Sequence, residues 1–195
     1  MKKTQLILAA CLAALLGFIS QTASAQAGAQ DVARIRKVSG SKVKTPDFKV
    51  SGFNTSGAAK DWFAVMVEYD TAPEWTEQLD FTFYVVLQGK DPRYQLLRGT
   101  VSCVNVPRGS RHKEVMYLHP STLGRYGTVY RAGVEIKHKG VSVAVESSDQ
   151  GKGRWWEDPN LLPGIRDGLV LNRLQTPFAF LQYDEYEAIN PAPAK

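Results

Sequence analysis

The residues able to do chemistry are few and scattered. His112, His119 and His138 are the chain's three histidines. None stands three or four residues from another, the spacing that puts two imidazoles on one helical face for a metal. No nucleophile elbow, phosphate loop or paired-cysteine motif is present. The pattern predicts no catalytic, cofactor or metal site. A hydrolytic site assembled from distant residues stays as an alternative. Asp184-Glu185-Tyr186-Glu187 gathers three carboxylates within four residues. It lacks the ligand spacing and the turn glycine of a calcium loop, and reads as a solvated, charged segment. Arg108-Gly109-Ser110-Arg111-His112-Lys113 reads as a solvated basic turn. Contact with anionic glycans or lipid head groups is its alternative.

The conspicuous pair is Trp155-Trp156. Neighbours on a strand face opposite ways, so one ring can pack inward while the other stands as a platform for a sugar ring. Glu157 and Asp158 are placed to accept hydrogen bonds from sugar hydroxyls. The simpler reading has both rings covering an end of the core. Trp155 and Trp156 are the candidate ligand contacts.

The elements that must position these residues read as strands. Trp62 to Tyr69 is apolar on both faces, as a central strand is. Leu79 to Gln88 alternates Phe81, Phe83, Val85 and Leu87 against polar neighbours. Tyr94 to Val106 is a long strand with a bulge expected at Gly99. Pro107 to Ser110 reads as a turn before a further strand, Glu114 to Leu118. Asp47 to Asn54 reads as a strand at the other end of the domain. Val134–Lys137 and Val141–Val145 flank His138-Lys139-Gly140 and predict a β-hairpin. One helical turn is expected over His119 to Tyr126, and a last strand near Leu169 to Leu174. About seven short strands without long helices predict an all-β fold: an antiparallel immunoglobulin-like β-sandwich, with a closed barrel as rival.

The chain opens with Lys2-Lys3, an apolar run from Leu6 to Ile19, and Ala23-Ser24-Ala25. This is the pattern of a bacterial secretory signal, cleaved between Ala25 and Gln26. The run is about 14 residues, short of the ~20 that span a membrane. Lipidation at Cys11, in Leu8-Ala9-Ala10-Cys11, is the weaker alternative, since that cysteine lies inside the run. Cleavage removes two lysines and no acids, so the formal charge falls from +5 to +3. That charge, on an exported chain, argues against nucleic acid. Cleavage also removes Cys11. Cys103 is then the only cysteine, and the sandwich is expected without a disulfide. The reading divides into a signal (1–25), a flexible linker (26–44), the sandwich (45–188) and a disordered tail (189–195).

A cleaved signal, a basic leader (Arg34-Ile35-Arg36-Lys37), a cysteine-poor sandwich and the run from Trp155-Trp156 to Thr176-Pro177-Phe178 resemble the small secreted immunoglobulin-like proteins of Verrucomicrobia such as Akkermansia. One of these is associated with a type IV pilus gene cluster. The resemblance implies a non-enzymatic protein outside the cytoplasm, linked to pilus assembly or surface adhesion. Its expected partners are other envelope or pilus proteins, or a second copy of itself. A glycan-binding module is the second expectation, and a small hydrolase the third. The expected location is secreted, periplasmic or at the cell surface.

Overall fold

The computed structural model describes residues 32–47, 58–89, 94–149 and 153–191. The predicted strand from Asp47 to Asn54, the signal and the cleavage point lie outside the described residues, apart from Asp47 itself. The elements in chain order are β1 (Ala33–Lys44), β2 (Asp61–Gln88), β3 (Tyr94–Leu118), α1 (Pro120–Tyr126), β4 (Thr128–His138), β5 (Val141–Ser147), β6 (Arg166–Asp167), β7 (Val170–Asn172) and β8 (Ala188–Ile189). The fold is all-β, and its pairing is antiparallel except where β6 meets β3.

Two strands organise everything. β2 has 28 residues and β3 has 25. Straight, at ~3.3 Å per residue, either would be far longer than a domain of this size is wide. Both therefore bend. Their mutual register shifts between Tyr69 and Thr71, and again between Thr71 and Trp75. On β3 the bend carries two non-glycine residues with left-handed backbone, Asn105 (φ 52°) and Arg111 (φ 62°).

Past the bend each strand enters a second layer. Asp61–Tyr69 pairs with β1 and with the far end of β3, Glu114–Leu118. Leu79–Gln88 pairs with the first part of β3 and with β4, which carries β5. β1 packs against β4 and β5. One continuous, unclosed sheet thus folds onto itself as a sandwich. Between the layers Val65, Val67 and Tyr69 meet Phe81, Phe83, Val134 and Ile136, all with no exposed surface. Each such side chain contributes about 1.5–3 kcal/mol of burial.

Several sequence expectations are corrected here. The strands at 62–69 and 79–88 are one strand, as are those at 94–106 and 114–118. Pro107 to Ser110 lies inside β3 and does not reverse the chain. Among the described residues the count is eight strands, three of them two- or three-residue pieces near the C-terminus. Gly99 pairs regularly with Phe83 and marks no bulge. It admits β7 instead, since a Cβ there would lie 2.5 Å from the Val170 carbonyl oxygen. Residues 26–44, expected as linker, contribute β1 from Ala33 onward. Ala33, Ile35 and Val38 are buried there. The tail expected to be disordered from residue 189 begins as part of β8, and the Asn190 amide donates to the Ser102 carbonyl at 2.8 Å.

Other expectations hold. The β4–β5 hairpin is present, and its turn is the two residues Lys139 and Gly140 (φ 50° and 79°), both left-handed as a type I′ turn requires. α1 starts where predicted. His119 is its N-cap, accepting from the Ser121 amide at 3.1 Å, and Pro120 follows at the first position.

Candidate functional site

The histidines come first. His119 caps α1 and packs edge-on against Trp62, at 4.7 Å between ring centroids. His138 approaches the Gln78 carbonyl at 3.1 Å. His112 has its Nδ1 2.7 Å from Glu187 Oε1 and its Nε2 3.2 Å from the Thr71 hydroxyl, and it stacks on Tyr69. Each is held by local structure, and the three do not converge. Among the described residues no group of three His, Cys, Asp or Glu side chains is placed to hold a metal.

The basic and acidic runs prove to be partners. Lys113 Nζ lies 2.8 Å from Glu185 Oε2, beside the His112–Glu187 contact. Tyr186 bridges to Lys113 along the backbone. Two segments read as separately solvated thus clip the C-terminal segment onto β3. Beneath the clip lies a buried polar cluster. Cys103 donates its thiol to Glu114 Oε2 at 3.1 Å, and the Val115 amide donates to Oε1 at 3.1 Å. Both residues have no exposed surface. Burial pushes the Glu114 carboxyl up to about 7, against the two hydrogen bonds that lower it. Burial and the neighbouring Glu114 push the Cys103 thiol well up as well. Such a thiol is an inert core group, not a nucleophile. Arg173, 3% exposed, reaches over the Tyr186 ring and donates to the Glu187 carbonyl at 3.1 Å.

The tryptophan pair sits on a 3-10 turn, Trp155–Glu157, rather than on a strand. Its rings therefore do not take opposite faces of a sheet. Trp156 is 2% exposed and lies flat on Tyr84, with centroids 4.6 Å apart and planes 7° off parallel. It covers Val86 and Leu96 on the outer face of the β4–β2–β3 layer. Gly133 makes room for it, since a Cβ there would meet the indole at 2.3 Å. Trp156 is therefore removed from the ligand contacts. Trp155 is half-buried, donates its indole N–H to Ser147 Oγ at 2.9 Å, and carries the Arg131 guanidinium over its ring at 5.3 Å. The segment is pinned by Arg154, whose Nη1 pairs with buried Glu135 at 2.9 Å and with Glu157 at 3.1 Å.

Two of the features that the described residues leave open to a partner bear on function. One is a small cleft beside Trp155, walled by Tyr94 and Tyr130. The other is the outer edge of β1. Among the described residues β1 pairs with β2 alone and β5 with β4 alone. The Thr45 amide donates to the Lys60 carbonyl at 2.9 Å. The register is unbroken from there to Lys37. Counting back in twos, Val43, Ser41 and Ser39 turn their amides toward β2, while Lys44, Lys42 and Gly40 turn theirs outward. Gly40, Ser41, Lys42 and Lys44 are exposed.

One protein-family model matches residues 23–192. A crystal structure of a protein from Akkermansia muciniphila superposes with a TM-score of 0.72 at 25% identity, covering 83% of this chain and 94% of that one. The chain belongs to this Akkermansia-type family. No curated protein shows significant similarity to it. The family match takes in both long strands and the C-terminal clip, and the two chains share one sandwich. Among the described residues no helix is long and apolar enough to cross a membrane.

Proposed function

We propose that the chain is an exported, non-enzymatic module of the Akkermansia-type family that assembles with envelope or pilus proteins by strand addition at β1. The exposed end of the β1 edge carries this reading, with outward amides at Gly40, Lys42 and Lys44. An unpaired edge is a template for another strand. Its charge argues for a different partner rather than a second copy. β1 holds Arg34, Arg36, Lys37, Lys42 and Lys44, and two such strands side by side would set like charges opposite one another. Export is supported by the signal-like first 25 residues, and the family model starts at residue 23, where such a leader would end.

The test is photo-cross-linking from position 44, exposed like Lys42, of the full chain in cells of its native type. A cross-link to a pilus or envelope subunit is expected, with the exported chain beginning at Gln26. Lys42→Pro, which deletes an outward amide and spares the β1–β2 ladder, should abolish the cross-link with the fold intact. A cross-link that persists in Lys42→Pro, or one only to a second copy, would overturn strand addition to a pilus partner.

A further inference from the structure

The register between β2 and β4 breaks at one place. Val86 faces Arg131 and the next residue, Leu87, faces Val129, so Tyr130 has no opposite number. This is a β-bulge, a device that re-aims side chains and is common beside binding sites. Its consequence is visible. Tyr130 is 52% exposed, although a residue next to Arg131 on a regular strand would take the other face. It meets Tyr94, which is 45% exposed, from the start of β3 on the far side of β2. The two ring centroids are 5.2 Å apart and tilted by 45°. Arg131 lies over both Tyr130 and Trp155. Between these rings and the Asp158–Asn160 turn is a cavity of about 290 Å³ floored by Val86.

We infer that this cleft binds a single ring of a neutral saccharide. Three aromatic side chains, Tyr94, Tyr130 and Trp155, present surface suited to the C–H face of a pyranose. The rim is polar, and it is fixed. Asp158 Oδ1 accepts from the Asn160 backbone N–H and from its side-chain Nδ2, each at 2.9 Å, which fixes a carboxylate of the cavity lining as an acceptor for hydroxyls. A purely apolar ligand would strip water from that carboxylate without replacing its hydrogen bonds. An acidic ligand would meet its negative charge, and the nearby Arg131 is already paired with Asp149 at 3.0 Å. The volume of about 290 Å³ is just below the ~300–1,000 Å³ of ligand pockets, which suits one ring rather than a long chain. No β1 residue lines this cavity.

The experiment titrates the full mature chain with two neutral trisaccharides, chitotriose and maltotriose, and with glucuronic acid. It follows the Trp155 indole N–H by NMR. Saturable binding of at least one trisaccharide is expected. Tyr130→Ala should weaken it about tenfold or more, the scale of losing an aromatic contact. Tyr130→Phe should keep it, and Tyr183→Ala, an exposed ring elsewhere, should leave it unchanged. Absence of saturation with both trisaccharides, tighter binding of the acid, or binding indifferent to Tyr130→Ala would each overturn the assignment. Both Tyr130 variants lie on the surface, so unchanged thermal unfolding separates a lost contact from a lost fold.

Discussion

At pH 8 Glu114→Gln should be more stable than the parent chain by about 3 kcal/mol, and below pH 4 the two should be equal. The Glu114 carboxyl has an ordinary value of 4.5 and is pushed up to about 7 by burial in the fold. The folded chain therefore keeps a proton that the unfolded chain has released. Stability is full below about pH 4.5, falls as pH rises through about 7, and is flat above that. Glutamine keeps the shape, accepts from the Val115 amide through its oxygen and donates to the Cys103 sulfur through its NH2, as the protonated carboxyl does, and it cannot ionise, so it removes this slope. Urea unfolding of both chains between pH 4 and pH 8 measures it, and the difference between the curves cancels every group they share. Parallel curves would mean that the carboxylate is compensated in the folded state, with Arg173, which already pulls its value down, the cation to do it.

Trp156→Ala should cost about 3–5 kcal/mol, the range for emptying a large buried aromatic site. The ring is 2% exposed, sandwiched between Tyr84 and the turn that carries it, and Gly133 beneath it leaves no side chain to collapse into the space. Trp155→Ala should cost about 1–2 kcal/mol, chiefly the Ser147 hydrogen bond and half of the ring's burial. Equilibrium unfolding of both variants decides between the neighbours. Equal costs would contradict the different roles the structure gives them.

The hairpin was readable because its alternation is clean and its turn residues, Lys139 and Gly140, are ones a tight turn accepts. The interiors of β2 and β3 were readable for the same reason. Their continuity was not. Pro107 and Gly109 resemble a chain reversal, whereas the bend carries left-handed Asn105 and Arg111; asparagine tolerates that backbone, but an arginine carries no such signature. β1 was obscured by the register shift between Ile35 and Lys37, which breaks its alternation and leaves a basic patch in view. At the candidate cleft, Trp155 and Asp158 could be picked out by type. Tyr94 and Tyr130 could not, because they are far apart in sequence and meet only across β2, through a bulge that no local pattern announces.

β2 and β3 run from one layer of the sandwich into the other without a break. In most sandwiches the layers are joined by loops and side-chain contact, and a pull on one reaches the other through its softest parts. Here a pull on β1 passes to β2 through a ladder of hydrogen bonds sheared together, and then along peptide bonds into the opposite layer. A partner strand added at β1 would be gripping both halves of the molecule at once, and the domain would carry tension as a single tie.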